Sequence, residues 1–252
     1  MKYIAILIEG DLANSLGGAC SRDLWNLSQK IINDLPIEKD NIHLFFGHLE
    51  TDSYATKIHQ MGFHQIGHSE LSEITDCFDH IVKISHETSE PLMIFFHYSG
   101  HGFQVADLDG DEIDGFDEAL LDCQLTDDYI WDHLVSQLSD KTHLFALIDA
   151  CHSGSAMDFP YRWVQGQWML SKKKKIEAKC SGYSLSACND AQLASQDVGE
   201  TTGFAGSLTA GVCDCANLSE IINQPFQLYQ ILVPRLSKLH QMVELYSVRE
   251  TA

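Results

Sequence analysis

Residues 144–154 read Leu144-Phe145-Ala146-Leu147-Ile148-Asp149-Ala150-Cys151-His152-Ser153-Gly154. Five apolar, β-leaning residues stop at an aspartate, and a cysteine follows two positions later among small and polar residues. Such a run suits a strand buried on both faces of a parallel sheet, with chemistry at its carboxyl end. Upstream, a second stretch has the same form: Leu92-Met93-Ile94-Phe95-Phe96 runs into His97-Tyr98-Ser99-Gly100-His101-Gly102. In open α/β sheets the site lies beyond the carboxyl ends of the strands. A cysteine at one strand end and a histidine between glycines at another suggest a nucleophile and its base, because a thiolate forms readily beside an imidazole. Singly, either residue is more often structural; their pairing at two strand ends favours chemistry.

The rest of the chain alternates strand and helix. Lys2 to Ile8 reads as a first strand and Glu9 to Gly18 as a loop. Cys20-Ser21-Arg22-Asp23 then opens a helix with Leu24, Leu27, Ile31 and Leu35 on one face. Asn41 to Phe46 reads as a second strand. Leu71 to Ile84 reads as a helix, and Pro91 breaks the chain before the histidine strand. Trp131 to Leu138 is predicted as a helix, the chain after Asp158 as irregular, and Tyr183 to Cys188 as a strand. Phe226 to Leu239 is predicted as a helix bent or broken by Pro234, and Val243 to Val248 as a final strand. This alternation predicts an α/β fold with a mostly parallel central sheet flanked by helices.

Composition bounds the function. The 252 residues, 44% of them hydrophobic, can bury one sizeable core. A formal charge of −20, from 36 acidic and 16 basic residues, argues against nucleic acid, whose phosphates demand a basic surface. It leaves cationic substrates, bound divalent cations or plain solubility. The eight cysteines show no paired zinc spacing, and Cys213-Asp214-Cys215 is the only close pair. Without a secretory signal or an apolar run long enough to span a membrane, the expectation is a cytoplasmic chain with reduced thiols and no membrane partner.

Two charged stretches stand out. Asp107 to Asp128 is the acidic centre of the chain. Asp107, Asp109, Asp111 and Glu118 imitate part of an EF-hand, but the sixth place, which needs glycine for the sharp turn, holds Glu112. Clustered carboxylates repel one another unless a cation or solvent screens them, so the stretch is either a cation site or a solvated loop. Lys172-Lys173-Lys174-Lys175 is the only basic run. Flanked by Gly166 and Gly182 and lacking strand periodicity, it is predicted as an exposed loop, either a solvated linker or a site of proteolytic nicking.

At this point a resemblance emerges. Tyr98-Ser99-Gly100-His101-Gly102 and Asp149-Ala150-Cys151-His152-Ser153-Gly154 resemble the two signature blocks of the metacaspases, caspase-related cysteine peptidases of clan CD. Asp107 to Glu118 resembles the acidic loop of the type I members, and Asp127-Asp128 their following acidic pair. Ser153 to Tyr161 resembles the segment after the nucleophile, and Ser186 to Gln192 the block that opens their small-subunit region. The resemblance implies a caspase-like fold over residues 1–252 without a long pro-domain. It divides the chain into a large-subunit-like region (1–165), a lysine-containing linker (166–182) and a small-subunit-like region (183–252). It also implies calcium, held by Asp117, Asp127, Asp128 and Asp158. Ala19-Cys20-Ser21-Arg22-Asp23 matches the family's Gly-Cys-x-Asn-Asp pattern in part, with Arg22 in place of Asn. The match puts an acidic S1 residue on Asp23, although a first-turn helix aspartate explains Asp23 equally well.

The chemistry expected of these residues is cysteine endopeptidase catalysis. Cys151 would attack the peptide carbonyl, His101 would move the proton, and the N–H groups of Cys151 and Gly102 would hold the oxyanion. By the resemblance, Asp149, Asp23 and Ser99 line S1, where carboxylates favour peptide or protein substrates with Arg or Lys at P1. No third residue that would make the pair a triad is evident in the sequence. Cys20 and Cys188 read as buried thiols. The lysine run, Lys172 to Lys175, becomes a candidate self-cleavage site, and a monomer is the expected state. The alternative is an inactive caspase-like scaffold that binds calcium or a protein partner.

Overall fold

Both apolar runs become central strands because neither has a face that tolerates water. Every residue of Leu92–Gly100 is buried, as is all but one of Thr142–Ala150. The computed structural model describes residues 1–173, 177–189, 194, 196–199, 203–215 and 217–250. In chain order the first elements are β1 (Lys2–Gly10), α1 (Ala19–Asp34), β2 (Ile42–Phe46), α2 (Ser53–Gln60), β3 (Ile66–His68) and α3 (Leu71–Glu87). Next come β4 (Leu92–Gly100), β5 (Gly102–Ala106), β6 (Phe116–Leu120), β7 (Leu125–Thr126), α4 (Asp127–His133) and β8 (Thr142–Ala150). The later part adds β9 (Tyr161–Val164), β10 (Gln167–Leu170), β11 (Ser181–Ser186), β12 (Gln196–Gly199), β13 (Gly203–Gly206) and α5 (Ser207–Asp214). It closes with α6 (Leu218–Ile221), α7 (Pro225–Leu236) and β14 (Glu244–Ser247).

The main sheet has nine strands in the order β10-β9-β14-β11-β8-β4-β1-β2-β3. The six strands from β11 to β3 are parallel, and β14, β9 and β10 continue the sheet antiparallel. This is the α/β, mostly parallel architecture that the sequence predicts. Side chains alternate across the sheet. Ile4, Ile6, Ile8, Ile94, Phe96 and Ile148 pack on one face with Ile74, Phe78 and Ile81 of α3 and with Ile130 and Trp131 of α4. Ala5, Leu7, Phe95, Phe145 and Leu147 pack on the other with Leu24, Leu27 and Ile31 of α1 and with Leu228 and Leu232 of α7. Burying each of the larger side chains stabilises the fold by roughly 1.5–3 kcal/mol before entropy is counted. Among the described residues no helix is long and apolar enough to cross a membrane, and no disulfide forms.

Two segments depart from the sequence expectation. The helix predicted over Trp131 to Leu138 starts earlier, at Asp127, because Thr126 Oγ1 accepts from Tyr129 N at 3.1 Å and caps it. Its far end tightens into a 3₁₀ turn at Val135–Gln137. The chain after Asp158, predicted as irregular, forms the hairpin β9–β10, so a strand lies inside the stretch read as a linker. The hairpin closes through Gln165 and Gly166 at φ 48° and 92°, the left-handed pair that matches strand twist in a two-residue turn. Trp163 and Trp168 face each other across it with ring centroids 5.3 Å apart, and Phe226 of α7 packs edge-on to Trp163 at 4.7 Å. A small antiparallel sheet, β5-β6-β7, stands beside the carboxyl ends of the parallel strands and carries Asp117 and Glu118.

Candidate active site

Strands β4 and β8 run in register with Gly100 opposite Ala150. The next residue of each, His101 and Cys151, therefore leaves the sheet beside the other. Tyr98 fixes the histidine's backbone: its hydroxyl donates to His101 O at 2.8 Å and accepts from Leu121 N at 3.0 Å. Gly102 must be glycine, because a Cβ there would lie 1.9 Å from Cys151 O. That close approach sets the Gly102 backbone against that of Cys151, the two residues whose N–H groups are expected to hold the oxyanion. Cys151 is partly exposed, and Ala194 N donates to its Sγ at 3.2 Å.

The group behind His101 is one the sequence does not reveal. Its Nε2 lies 2.7 Å from Ser15 Oγ and 3.5 Å from Asp11 Oδ1. Asp11 is fully buried and accepts from Ser15 N, Leu16 N and Ser15 Oγ at 2.8, 2.7 and 2.9 Å. Ser15 has one hydroxyl proton and gives it to Asp11, so it can only accept from His101. This network assigns the proton to Nε2 and leaves Nδ1 as the basic nitrogen. His97, also in the motif, is different. It is wholly buried, contacts Thr209 Oγ1 at 3.0 Å, and burial pushes its pKa down to about 3, so it stays neutral.

The dyad opens on a cavity of about 350 Å³ whose walls include Cys20, Asp23, Ser99, Asp149 and Gly206. Ser99 is paired with Asp149 in the β4–β8 register, and its hydroxyl donates to Asp23 Oδ2 at 2.6 Å. Gly206 N donates to the Asp23 carboxylate at 3.1 Å, and Thr209 N donates to Asp149 Oδ2 at 2.7 Å. Both carboxylates thus meet the start of α5, where free N–H groups and the helix dipole favour negative charge. Burial still dominates: it raises Asp149 to about 6, and burial together with the Asp149 charge holds Asp23 well above the usual carboxylate range. Gly206 is again required, since a Cβ would meet Asp149 Oδ2 at 2.4 Å. The structure therefore brings Asp23, Ser99, Asp149, His101 and Cys151 to one cavity. Cys20 and Cys188 are buried thiols, and burial raises Cys188 to about 11.

The acidic region folds differently from a solvated loop. Asp111, Glu112, Asp127 and Asp158 are each at least nine-tenths buried and converge on the buried ammonium of Lys172. Lys172 Nζ pairs with Glu112 and Asp158, and lies 3.6 Å from Asp127 and 3.8 Å from Asp111. Lys172, predicted in an exposed loop, is thus inside the protein at 2% exposure, because four carboxylates repay its desolvation. Lys173 is exposed, and its N–H holds Asp111 O at 2.7 Å. Lys174 and Lys175 lie outside the described residues, as do Asp190 to Gln192 of the small-subunit block. Burial raises Asp158 and Asp117 to about 7 and about 6. Of the four residues implied as calcium ligands, Asp127 and Asp158 face Lys172, while Asp117 and Asp128 group separately, each with Asp111. Asp111 and Glu112, not singled out as ligands by the sequence, complete the set. Both carboxylate oxygens of Asp111, Asp127 Oδ2 and Asp158 Oδ2 are buried without a hydrogen-bond donor. An all-oxygen donor set of this kind fits a hard cation such as calcium.

Residues 4–160 match the family described as the metacaspase, peptidase C14 domain. Metacaspase-1A of Aspergillus terreus is 49% identical over 74 residues, covering 27% of this chain and 18% of that protein. Metacaspase-1 of Schizosaccharomyces pombe is 46% identical over 76 residues, 28% of this chain and 18% of that protein. Metacaspase-1 of Pyricularia oryzae is 43% identical over 95 residues, 33% of this chain and 24% of that protein. The aligned stretches thus span under a quarter of each relative's length. A crystal structure of a Geobacter sulfurreducens protein aligns with 100% of this chain and 95% of its own, at TM-score 0.58 and 18% identity, a likeness of fold alone.

Proposed function

This chain belongs to the metacaspase family of peptidase C14, and from that premise we propose that it is a cysteine endopeptidase cleaving after Arg or Lys. The observation that supports this best is the common cavity of Cys151, His101 and the paired carboxylates Asp23 and Asp149. Cys151 Sγ attacks the peptide carbonyl carbon, and the oxygen takes the electron pair between the N–H groups of Gly102 and Cys151. His101 Nδ1 receives the thiol proton and passes it to the leaving amine. Water then hydrolyses the thioester, with His101 taking the water's proton as the thiol leaves. Asp11 and Ser15 hold the imidazole and support its positive charge. The P1 cation meets Asp149 and Asp23, in charge-assisted hydrogen bonds worth roughly 1.5–3 kcal/mol.

Calcium stimulation and self-processing within Lys172 to Lys175 belong to the same reading. Bound by Asp117, Asp127, Asp128 and Asp158, calcium would supply positive charge to the acidic region. A cytoplasmic, monomeric peptidase without nucleic-acid or membrane partners completes the proposal. A panel of fluorogenic peptides with P1 Arg, Lys or Asp, assayed with calcium and with chelator, tests it. Preference for P1 Asp overturns the acidic pocket, and a rate indifferent to chelator overturns calcium stimulation. Mass spectrometry of wild type and Cys151→Ala incubated with calcium tests self-processing, which requires a cut within the lysine run in the wild type only.

A further inference from the structure

Lys172 is the one buried ammonium among the described residues that meets four carboxylates. Asp127 and Asp158 are two of the residues read above as calcium ligands, so the ammonium stands where a divalent cation would meet them. Two cations cannot share that space, because like charges a few ångströms apart repel strongly in a buried site. The lysine is also tied to its surroundings by backbone. Residues 112 and 172 form an antiparallel bridge, and Lys173 N donates to Asp111 O. Withdrawing the ammonium therefore loosens the start of the lysine run.

We propose that Lys172 is a tethered cation filling the acidic cluster, and that a divalent cation enters only by displacing it, which releases the segment beginning at Lys172. The proposal deepens the calcium reading and rests on it: it makes cation binding an exchange of one positive group for another. The donor-less oxygens, both of Asp111 with Asp127 Oδ2 and Asp158 Oδ2, would gain ligand contacts that a single ammonium cannot supply to all of them. The exchange also gives calcium a route to the proposed cleavage segment, since a freed Lys172 reaches solvent beside exposed Lys173.

Isothermal titration of calcium chloride into the Cys151→Ala protein and into Cys151→Ala/Lys172→Met tests the exchange without any turnover. Removing the competitor lowers the dissociation constant for calcium by about tenfold or more, the scale of ordinary coupling between sites. Should the methionine variant fold poorly in chelator, calcium restores its thermal midpoint and raises it further than it raises that of the lysine-bearing protein. A second readout needs no change at Lys172. Amine acetylation followed by mass spectrometry compares Lys172 with exposed Lys173 in the Cys151→Ala protein; Lys172 is protected in chelator and becomes reactive with calcium. Equal calcium affinity in both proteins, with Lys172 protected throughout, overturns the exchange and leaves calcium binding standing. Absence of binding in both overturns the exchange and the calcium reading together.

Discussion

Asp23 and Asp149 share a physical problem with Asp111, Glu112, Asp127 and Asp158: each group places carboxylates out of water and close together. The two solutions differ. The first pair takes its hydrogen bonds from Gly206 N, Thr209 N and Ser99 Oγ and faces a cavity. The second group closes around Lys172. Neutral donors orient a carboxylate without cancelling the charge it carries, so on the proposed reading the first site accepts a cation from outside. A covalently attached ammonium satisfies the second from inside. Similar residue chemistry thus gives an open cavity in one place and a closed ionic core in the other.

Cys151→Ala leaves both carboxylate groups intact and removes turnover of a P1 Arg peptide, a fall on the order of 10⁴-fold or more; substantial residual rate in the purified variant would disprove the nucleophile. Asp149→Asn keeps the shape of the pocket and removes its charge. The specificity constant for P1 Arg falls roughly 10- to 150-fold, while the thermal midpoint moves little. The pH dependence has a definite sign. A carboxyl raised to about 6 is neutral below that pH and charged above it, so KM for P1 Arg rises as pH falls through about 6. Asp149→Asn should flatten that dependence; a variant that keeps it shows that another group is responsible.

Asp11→Asn gives a smaller loss, roughly tenfold in kcat, with KM nearly unchanged. An unchanged kcat would make Asp11 a purely structural residue. Glu9 supplies the mildest contrast. It is a buried carboxylate that accepts from Ser21 Oγ and Gly47 N, and burial raises it to about 7. A raised carboxyl costs no stability below its ordinary range, near 4.5, and costs progressively more as pH rises through about 7. Thermal melts of Glu9→Gln and wild type should therefore diverge in the variant's favour as pH rises across that window, and coincide in acid.

The strands, and the placing of His101 and Cys151 at two strand ends, were legible because their signals are local, whereas Asp23, Ser99 and Asp149 were joined only by the resemblance to the metacaspases. Five apolar residues before Asp149 and five before His97 announce buried strands, and the strand ends announce the chemistry. Asp11 and Ser15 were not legible: they reach His101 from 90 and 86 residues away, and their sequence reads as an ordinary loop. The burial of Lys172 was hidden for a related reason. A lysine run reads as solvated, and only the fold brings Asp111, Glu112, Asp127 and Asp158 around one of its members. The β9–β10 hairpin was missed because Gln165-Gly166 is a weaker turn signal than Asn-Gly, and because Trp163 and Trp168 look like scattered aromatics until Phe226 packs on them. Residue 4–160 family identity covers the dyad and not this later part.

Gly206 has an evolutionary consequence. The bare backbone above the two carboxylates leaves no room for a methyl group, which would lie 2.4 Å from Asp149 Oδ2 and 2.9 Å from Asp23 Oδ2. On the proposed reading, divergence at that single position would silence recognition of basic side chains while Cys151, His101 and both aspartates persisted unaltered. Descendants of such a chain would score as intact peptidases in any inventory built on the Cys–His pair, and residue 206 is the place to look for those that have turned to other substrates.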